Sequence, residues 1–187
     1  MYWYKRPYKI GKAAMVITMA ALVFACSEQT AQVEHFASKQ LDIPAFFTTE
    51  IARLSAEKPE VIKTVKKDSI VETKDIKIDN WENELASFLT VDINKPAYAG
   101  YLKKDSVDRR VTYHSTNPKL DLKLVEITYN DKGQPITFRI DRNIDNLLYD
   151  TEETLHYQKD VGYQLEKRQH VLLLGDKYYH ISGKIKQ

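Results

Sequence analysis

His170 and His180 invite a metal ion, because they flank the turn-forming dipeptide Gly175-Asp176. A two-residue turn there sets Leu174 opposite Lys177, Val171 opposite His180 and His170 opposite Ile181. The two imidazoles then leave the sheet on opposite faces, which excludes a shared ion. His114 and His156 stand alone in strand-like stretches and His35 lies in a polar segment. None belongs to an HxH, HxxxH or cysteine-bearing pattern of the kind that holds zinc, so no metal is assigned. Nucleophilic catalysis has no better foothold, since G-x-S-x-G is absent. The six glycines are scattered and form neither a phosphate loop nor a dinucleotide fingerprint, so no cofactor is expected. Acids recur in pairs at Glu152-Glu153, Asp141 with Asp145, and Asp105 with Asp108. Two carboxylates at a set distance can share acid and base work, but on solvated strands and turns they read as solubilising charge. No catalytic residue is assigned, and a non-enzymatic role is favoured.

Tyrosines supply a softer signal. Tyr149, Leu155 and Tyr157 share parity on one long strand, as Tyr179 and Ile181 do on another. Tyrosine offers an apolar body with a polar tip. Tyr149, Tyr157 and Tyr179 are therefore the candidate lining of a groove for a lipid, glycan or peptide, against the plainer reading that they form the core face of a sheet.

Cys26 is the chain's one thiol, and its surroundings point to attachment rather than redox chemistry. The first twelve residues carry Lys5, Arg6, Lys9 and Lys12 without an acid, and a thirteen-residue run, apolar but for Thr18, follows from Ala13 to Ala25. That run falls short of the roughly 20 residues needed to cross a bilayer, and it has the form of a cleavable signal. Ala25 immediately before Cys26, with Leu22 and Val23 upstream, resembles the bacterial lipoprotein signal, whose cysteine is acylated and becomes the first mature residue. Phe24 is bulkier than that pattern favours. One acyl chain holds a protein only marginally, at about 0.8 kcal/mol per buried CH₂, whereas two or three hold it stably. Ser27 is not the Asp associated with inner-membrane retention, so an outer-membrane location is expected, with its periplasmic or external face left open.

Cleavage changes the charge. Lys and Arg total 28 against 26 Asp and Glu in the full chain, and loss of the four signal cations turns a net +2 into −2. A mature domain of that sign gives no argument for nucleic-acid binding, and no nucleic-acid partner is expected. With no second cysteine it forms no internal disulfide, and its 162 residues must be stabilised by a core.

The organisation expected is a signal peptide over 1–25, the lipidated cysteine with a polar tether over 26–41, and a single α+β domain over 42–187. Asp42 can cap a helix with Pro44 in its first turn and Phe47, Ile51 and Leu54 on one face, ending before Pro59. Two β-branched runs around Lys67-Asp68 predict a hairpin. Asp79 and Glu82 then look like a capping box for a second helix with Trp81, Leu85 and Phe88 on its inner face. From Lys95 onward the period is two, in AYAGYLKK, RRVTYHST, LKLVEITY, ITFRID, LLYDTEETLHYQ, YQLEKRQHVLLL and KYYHISGKI. Balanced KKDSVDRR reads as a loop or exposed edge. Short turns without intervening helices predict an antiparallel meander. The fold class is α+β, two helices packed on a twisted antiparallel sheet of seven to nine strands.

The stretch DNWENELASFLTVDINKPAYAGYL, with the Phe-containing helix before it and the lipoprotein signal, resembles a set of uncharacterised envelope lipoproteins of Bacteroidota. The resemblance implies localisation and fold and carries no activity. Two functional readings follow. One is a lipid-anchored binding or structural module with a partner in the envelope. The other is a carrier that encloses a lipid or another apolar ligand between a curved sheet and its helices.

Overall fold

The computed structural model describes residues 39–186. The signal segment, Cys26, His35 and most of the tether lie outside the described residues. Helix α1 (Ile43–Glu57) begins as its sequence predicts: Asp42 Oδ1 accepts the Ala45 amide at 3.0 Å, and Pro44 occupies the first turn, where its missing N–H is no loss. It stops at Lys58, which turns left-handed at φ 48° just ahead of Pro59.

The second predicted helix is corrected in two respects. Asn80, not Asp79, is the cap; its backbone is extended and its side chain accepts the Asn83 amide at 2.9 Å. The helix also breaks at Leu85 into α2 (Trp81–Glu84) and α3 (Ala86–Leu89). The two halves serve different contacts, Trp81 meeting Tyr163 edge-on while Phe88 stacks on Phe47, so packing overrides a continuous helical run. Trp81, Leu85 and Phe88 are all buried, as their spacing predicts.

Nine strands form one antiparallel sheet, making the domain mostly β: β1 (Glu60–Lys67), β2 (Ile70–Lys77), β3 (Leu102–Val107), β4 (Arg110–Ser115), β5 (Leu122–Tyr129), β6 (Pro135–Asp145), β7 (Tyr149–Gln158), β8 (Gly162–Val171) and β9 (Gly175–Ile185). Their spatial order is β2-β1-β9-β8-β7-β6-β5-β4-β3. Strands β3 to β9 are thus an uninterrupted meander, and the N-terminal hairpin pairs through β1 with the C-terminal strand. The charged β3 is an edge, where lysines and acids discourage further pairing.

Three local expectations fail for identifiable reasons. Strand β3 starts at Leu102 rather than Ala97, because Pro96 cannot donate to a ladder and opens a short 3₁₀ turn over Pro96–Tyr98. The first hairpin turns at Asp68-Ser69, one residue later than expected, with Lys67 opposite Ile70. At the last hairpin, Gly175-Asp176 is not the turn. Val171 pairs with Gly175, and Leu172, Leu173 and Leu174 form the loop. A two-residue turn would have placed Ile181 on the face opposite Leu165. The observed register puts them side by side, so burial of the apolar set decides it over turn chemistry.

One face of the sheet is covered by the helices. Val111, Ile127, Phe138, Tyr157, Tyr163 and Gly183 succeed one another across six strands on that face, each the cross-strand partner of the next. Phe46 and Phe47 of α1 lie against Phe138 and Tyr157, with ring centroids 4.6 to 6.4 Å apart. The ladder has a deliberate gap at Gly183, where the Tyr163 ring lies across the backbone and a Cβ would overlap it. Gly183→Ala is therefore expected to cost about 1–3 kcal/mol through overpacking. The measurement is a urea titration, in which the midpoint falls at constant slope; an unchanged midpoint would mean that the ring can move aside.

Candidate functional site

Charge is brought under the helices at three places, and each time a carboxylate meets a tyrosine hydroxyl. Glu50 of α1, only 3% exposed, accepts from Tyr157 Oη of β7 and from Arg53, one turn further along its own helix. Arg53 continues outward to Glu57 at 2.6 Å and to Asp160 at 2.9 Å in the β7–β8 turn. Glu84 of α2 accepts from Tyr163 Oη of β8 and from Lys63 Nζ of β1 at 2.6 Å. Asp121, ahead of β5, accepts from Tyr98 Oη at 2.8 Å and faces Arg142 at 3.5 Å. Arg142 in turn reaches Glu153 at 3.3 Å and Thr90 Oγ1 at 2.9 Å, and Ser87 Oγ lies 3.5 Å from Glu153.

These groups are set for holding rather than for proton transfer. Burial by itself would raise the pKa of Glu50, but the hydrogen bonds from Arg53 and Tyr157 together outweigh it and hold the carboxyl below its usual range. Asp121 is likewise lowered, burial being overcome by Tyr98 and by the Leu122 amide. The tyrosines shift the other way, through burial first and then the adjacent carboxylate; Tyr98 is pushed up to about 12, and Tyr157, and Tyr163 beside Glu84, are also raised. At neutral pH Glu50 and Asp121 are therefore acceptors and Tyr157 and Tyr98 their donors, an arrangement that suits holding better than proton transfer.

The residues singled out from sequence fall into this picture unevenly. Tyr149, Tyr157 and Tyr179 do share the helix-facing side, through the pairing of β7 with β8 and β8 with β9. They are not brought together. Tyr157 is fully buried beneath α1, Tyr149 lies eight residues along its strand at the opposite end, and Tyr179 stacks under Lys67 with the ammonium 5.7 Å from the ring centre. The space between sheet and helices that a groove would use is occupied by Phe47, Phe88, Phe138 and Tyr157. His170 and His180, expected on opposite faces, share a face in the observed register. Four residues separate their rungs, so they stand about 13 Å apart along the strands at ~3.3 Å per residue. His170 Nδ1 instead meets Asp176 Oδ1 at 2.6 Å. His114 and His156 sit singly on β4 and β7. No cluster of three or more His, Cys, Asp or Glu suited to a metal occurs among the described residues. The reading of Glu152-Glu153 as solvated is corrected at its second member, since Glu153 faces the helices and is buried against Arg142.

Sequence reasoning passed over Glu50 and Glu84, although their positions contain the signal. Glu50 falls on the Ile43, Phe47, Leu54 stripe of α1, and Glu84 lies between Trp81 and Phe88. An acid on the apolar stripe of a helix needs a donor on the surface beneath it. The outer, opposite face has a cleft of about 480 Å³ at the far end of the sheet, lined by Asp150, Arg168, His170, Lys177 and Tyr178 among others. It lies beside turns rich in leucine. A second concavity of about 410 Å³ lies between Lys39-Gln40 and the Pro96–Gly100 segment, where Gln40 Oε1 accepts from Tyr113 Oη at 2.8 Å. No protein-family model, curated protein or solved structure matches this chain.

Lowered carboxylate pKa values have a definite sign in stability. Glu50 and Asp121 hold protons less readily folded than unfolded, so their contribution is complete above their ordinary values of 4.5 and 3.8 and is lost as pH falls through the folded values. Stability measured by urea unfolding is expected to fall on acidification below about pH 4.5 in the native chain and to fall less steeply in Glu50→Gln. Parallel profiles for the two proteins would show that Glu50 contributes nothing to the pH dependence.

Proposed function

We propose that the protein is a lipid-anchored envelope lipoprotein, held through an acylated Cys26, whose domain is a non-enzymatic binding or interaction module. The observation that carries the second half is the engagement of the carboxylates at the helix–sheet junction. Glu50 and Glu153, both buried, and part-buried Glu84 are each held by donors within the fold, and Asp121, part-exposed at the edge of a cleft, is held by Tyr98 and Arg142. A catalytic set needs at least one group free to meet a reacting atom. The outer-face cleft is lined by exposed charges, among which His170 and Asp176 pair with one another.

Anchoring follows from the thiol's context. The described fold begins at Lys39, thirteen residues after Cys26. Even fully extended, that segment reaches no more than roughly 45 Å, so acylation would keep the domain within one domain's length of the bilayer. No described helix is long and apolar enough to cross a membrane. We place the anchor in the outer membrane on the identity of Ser27. The carrier reading gains no support from the aromatic packing that occupies the helix–sheet interior.

The trial uses metabolic labelling with a clickable fatty acid in cells expressing the full chain, followed by envelope fractionation. Wild type is expected to carry label and to sediment with the outer membrane. Cys26→Ala is expected to lose the label and to leave that fraction. Equal labelling and equal retention of the two would remove the anchoring proposal.

A further inference from the structure

Two adjacent turns at one end of the sheet are built from leucine. The β6–β7 connection carries Leu147 and Leu148, and the β8–β9 connection is Leu172-Leu173-Leu174. Leu147 and Leu173 are 96% and 98% exposed. Turn positions ordinarily take Gly, Asn, Asp or Ser for conformational reasons, and Leu173 is held left-handed at φ 75°. An uncharged, branched side chain is therefore kept where both turn preference and solvation oppose it. Single exposed leucines are ordinary, but five on neighbouring turns form a contiguous apolar projection.

We infer that this projection inserts into the interfacial region of a lipid bilayer, making the end of the sheet a membrane-contact tip. Three observations select a bilayer over a protein partner. First, the leucines project from turn apices, Leu147 and Leu173 almost fully exposed, a shape that a fluid surface accepts and that a protein would have to match with a pocket. Second, several amides of the two turns are satisfied from within, which lowers the cost of entering a low-dielectric medium. Asn146 Oδ1 accepts the amides of Leu148 and Tyr149 at 3.0 and 3.1 Å. The Leu172 amide donates to Leu148 O at 3.0 Å, joining the two turns into one platform, and Leu174 N donates to Val171 O at 3.0 Å.

The third observation is the collar behind the tip. Tyr178 carries Lys66 and Arg168 over its ring at 5.3 and 5.9 Å, and Tyr179 carries Lys67. Tyrosines with long cationic side chains are the groups that settle at headgroup depth, ring in the apolar boundary and charge in water. Acids share the collar, Asp68, Asp150 and Asp176 among them. Its charge is therefore mixed, and contact depends on apolar insertion more than on anionic lipid, with little sensitivity to salt. The inference stands on the described domain alone and does not require that Cys26 be acylated.

Residue-specific fluorescence of the full chain tests it. In a Cys26→Ser background, an environment-sensitive nitrobenzoxadiazole probe is placed through Leu173→Cys, through Leu147→Cys on the neighbouring turn, and through Lys132→Cys in the β5–β6 turn at the other end of the sheet. Each protein is mixed with phosphatidylcholine vesicles, with and without nitroxide-labelled acyl chains. At 173 and 147 the probe is expected to brighten, shift to the blue and be quenched by the nitroxide, at low and high salt alike, while at 132 it stays unchanged. Vesicle binding with a dark, unquenched probe at 173 and 147 would overturn the inference while leaving attachment through the N-terminal segment intact. Failure to bind vesicles overturns it too. Brightening without vesicles that grows with protein concentration overturns it in favour of contact between two copies of the chain.

Discussion

A carboxylate placed under a helix must find its donors in whatever lies beneath, and Glu50 finds them in Arg53 and the Tyr157 hydroxyl. Much of the helix layer is positioned around that requirement. Tyr157 can reach Glu50 only because its ring stands on the core face of β7 between Phe47, Phe88 and Phe138. The same aromatic packing excludes the water that would otherwise weaken the bond. Glu84 repeats the device one strand away with Tyr163 and Lys63, and Asp121 repeats it with Tyr98 and Arg142. Apolar burial supplies most of the stabilisation. The paired phenols and carboxylates decide where on the sheet each short helix rests, since any sliding would leave an unpartnered buried charge.

This division of labour leaves the two ends of the sheet with different commitments. The centre of the sheet is committed to the helices, with its carboxylates held by donors within the fold and its interior filled. The far end escapes that commitment. There the helices no longer cover the sheet, Tyr149 is part-exposed, and the connections present leucine to solvent. Hairpin tips contribute little to the core, so side chains there are free to serve contact with something else. A domain tethered by its N-terminus would then meet its surroundings through turns rather than through a pocket.

What the sequence disclosed follows from how many independent signals each element carries. Helix α1 has a cap, a first-turn proline, an apolar period and a terminating proline, all agreeing, and it forms as predicted. Residues Ile136 to Asp141 alternate cleanly, and Phe138 and Ile140 are buried as that alternation requires. Elsewhere two local rules conflicted. Gly175-Asp176 has turn chemistry, yet Ile181 has to lie beside Leu165, and the apolar face prevails at the expense of a three-leucine loop. The second helix lost its continuity because Trp81 and Phe88 answer to different neighbours, which is long-range information. The carboxylate–tyrosine pairs were the least legible. Each joins residues far apart in the chain, 107 positions in the case of Glu50 and Tyr157, and only the sheet's register brings them together.

If the Glu50–Tyr157 bond is what fixes α1 on the sheet, the two side chains must be energetically coupled. A double-mutant cycle of Glu50→Gln and Tyr157→Phe, read by urea unfolding at neutral pH, measures that coupling directly. The account predicts a coupling of about 1–3 kcal/mol, the range for groups sharing one buried polar network. Additive effects of the two substitutions, within about 0.3 kcal/mol, would contradict it and leave apolar packing as the only tie between helix and sheet.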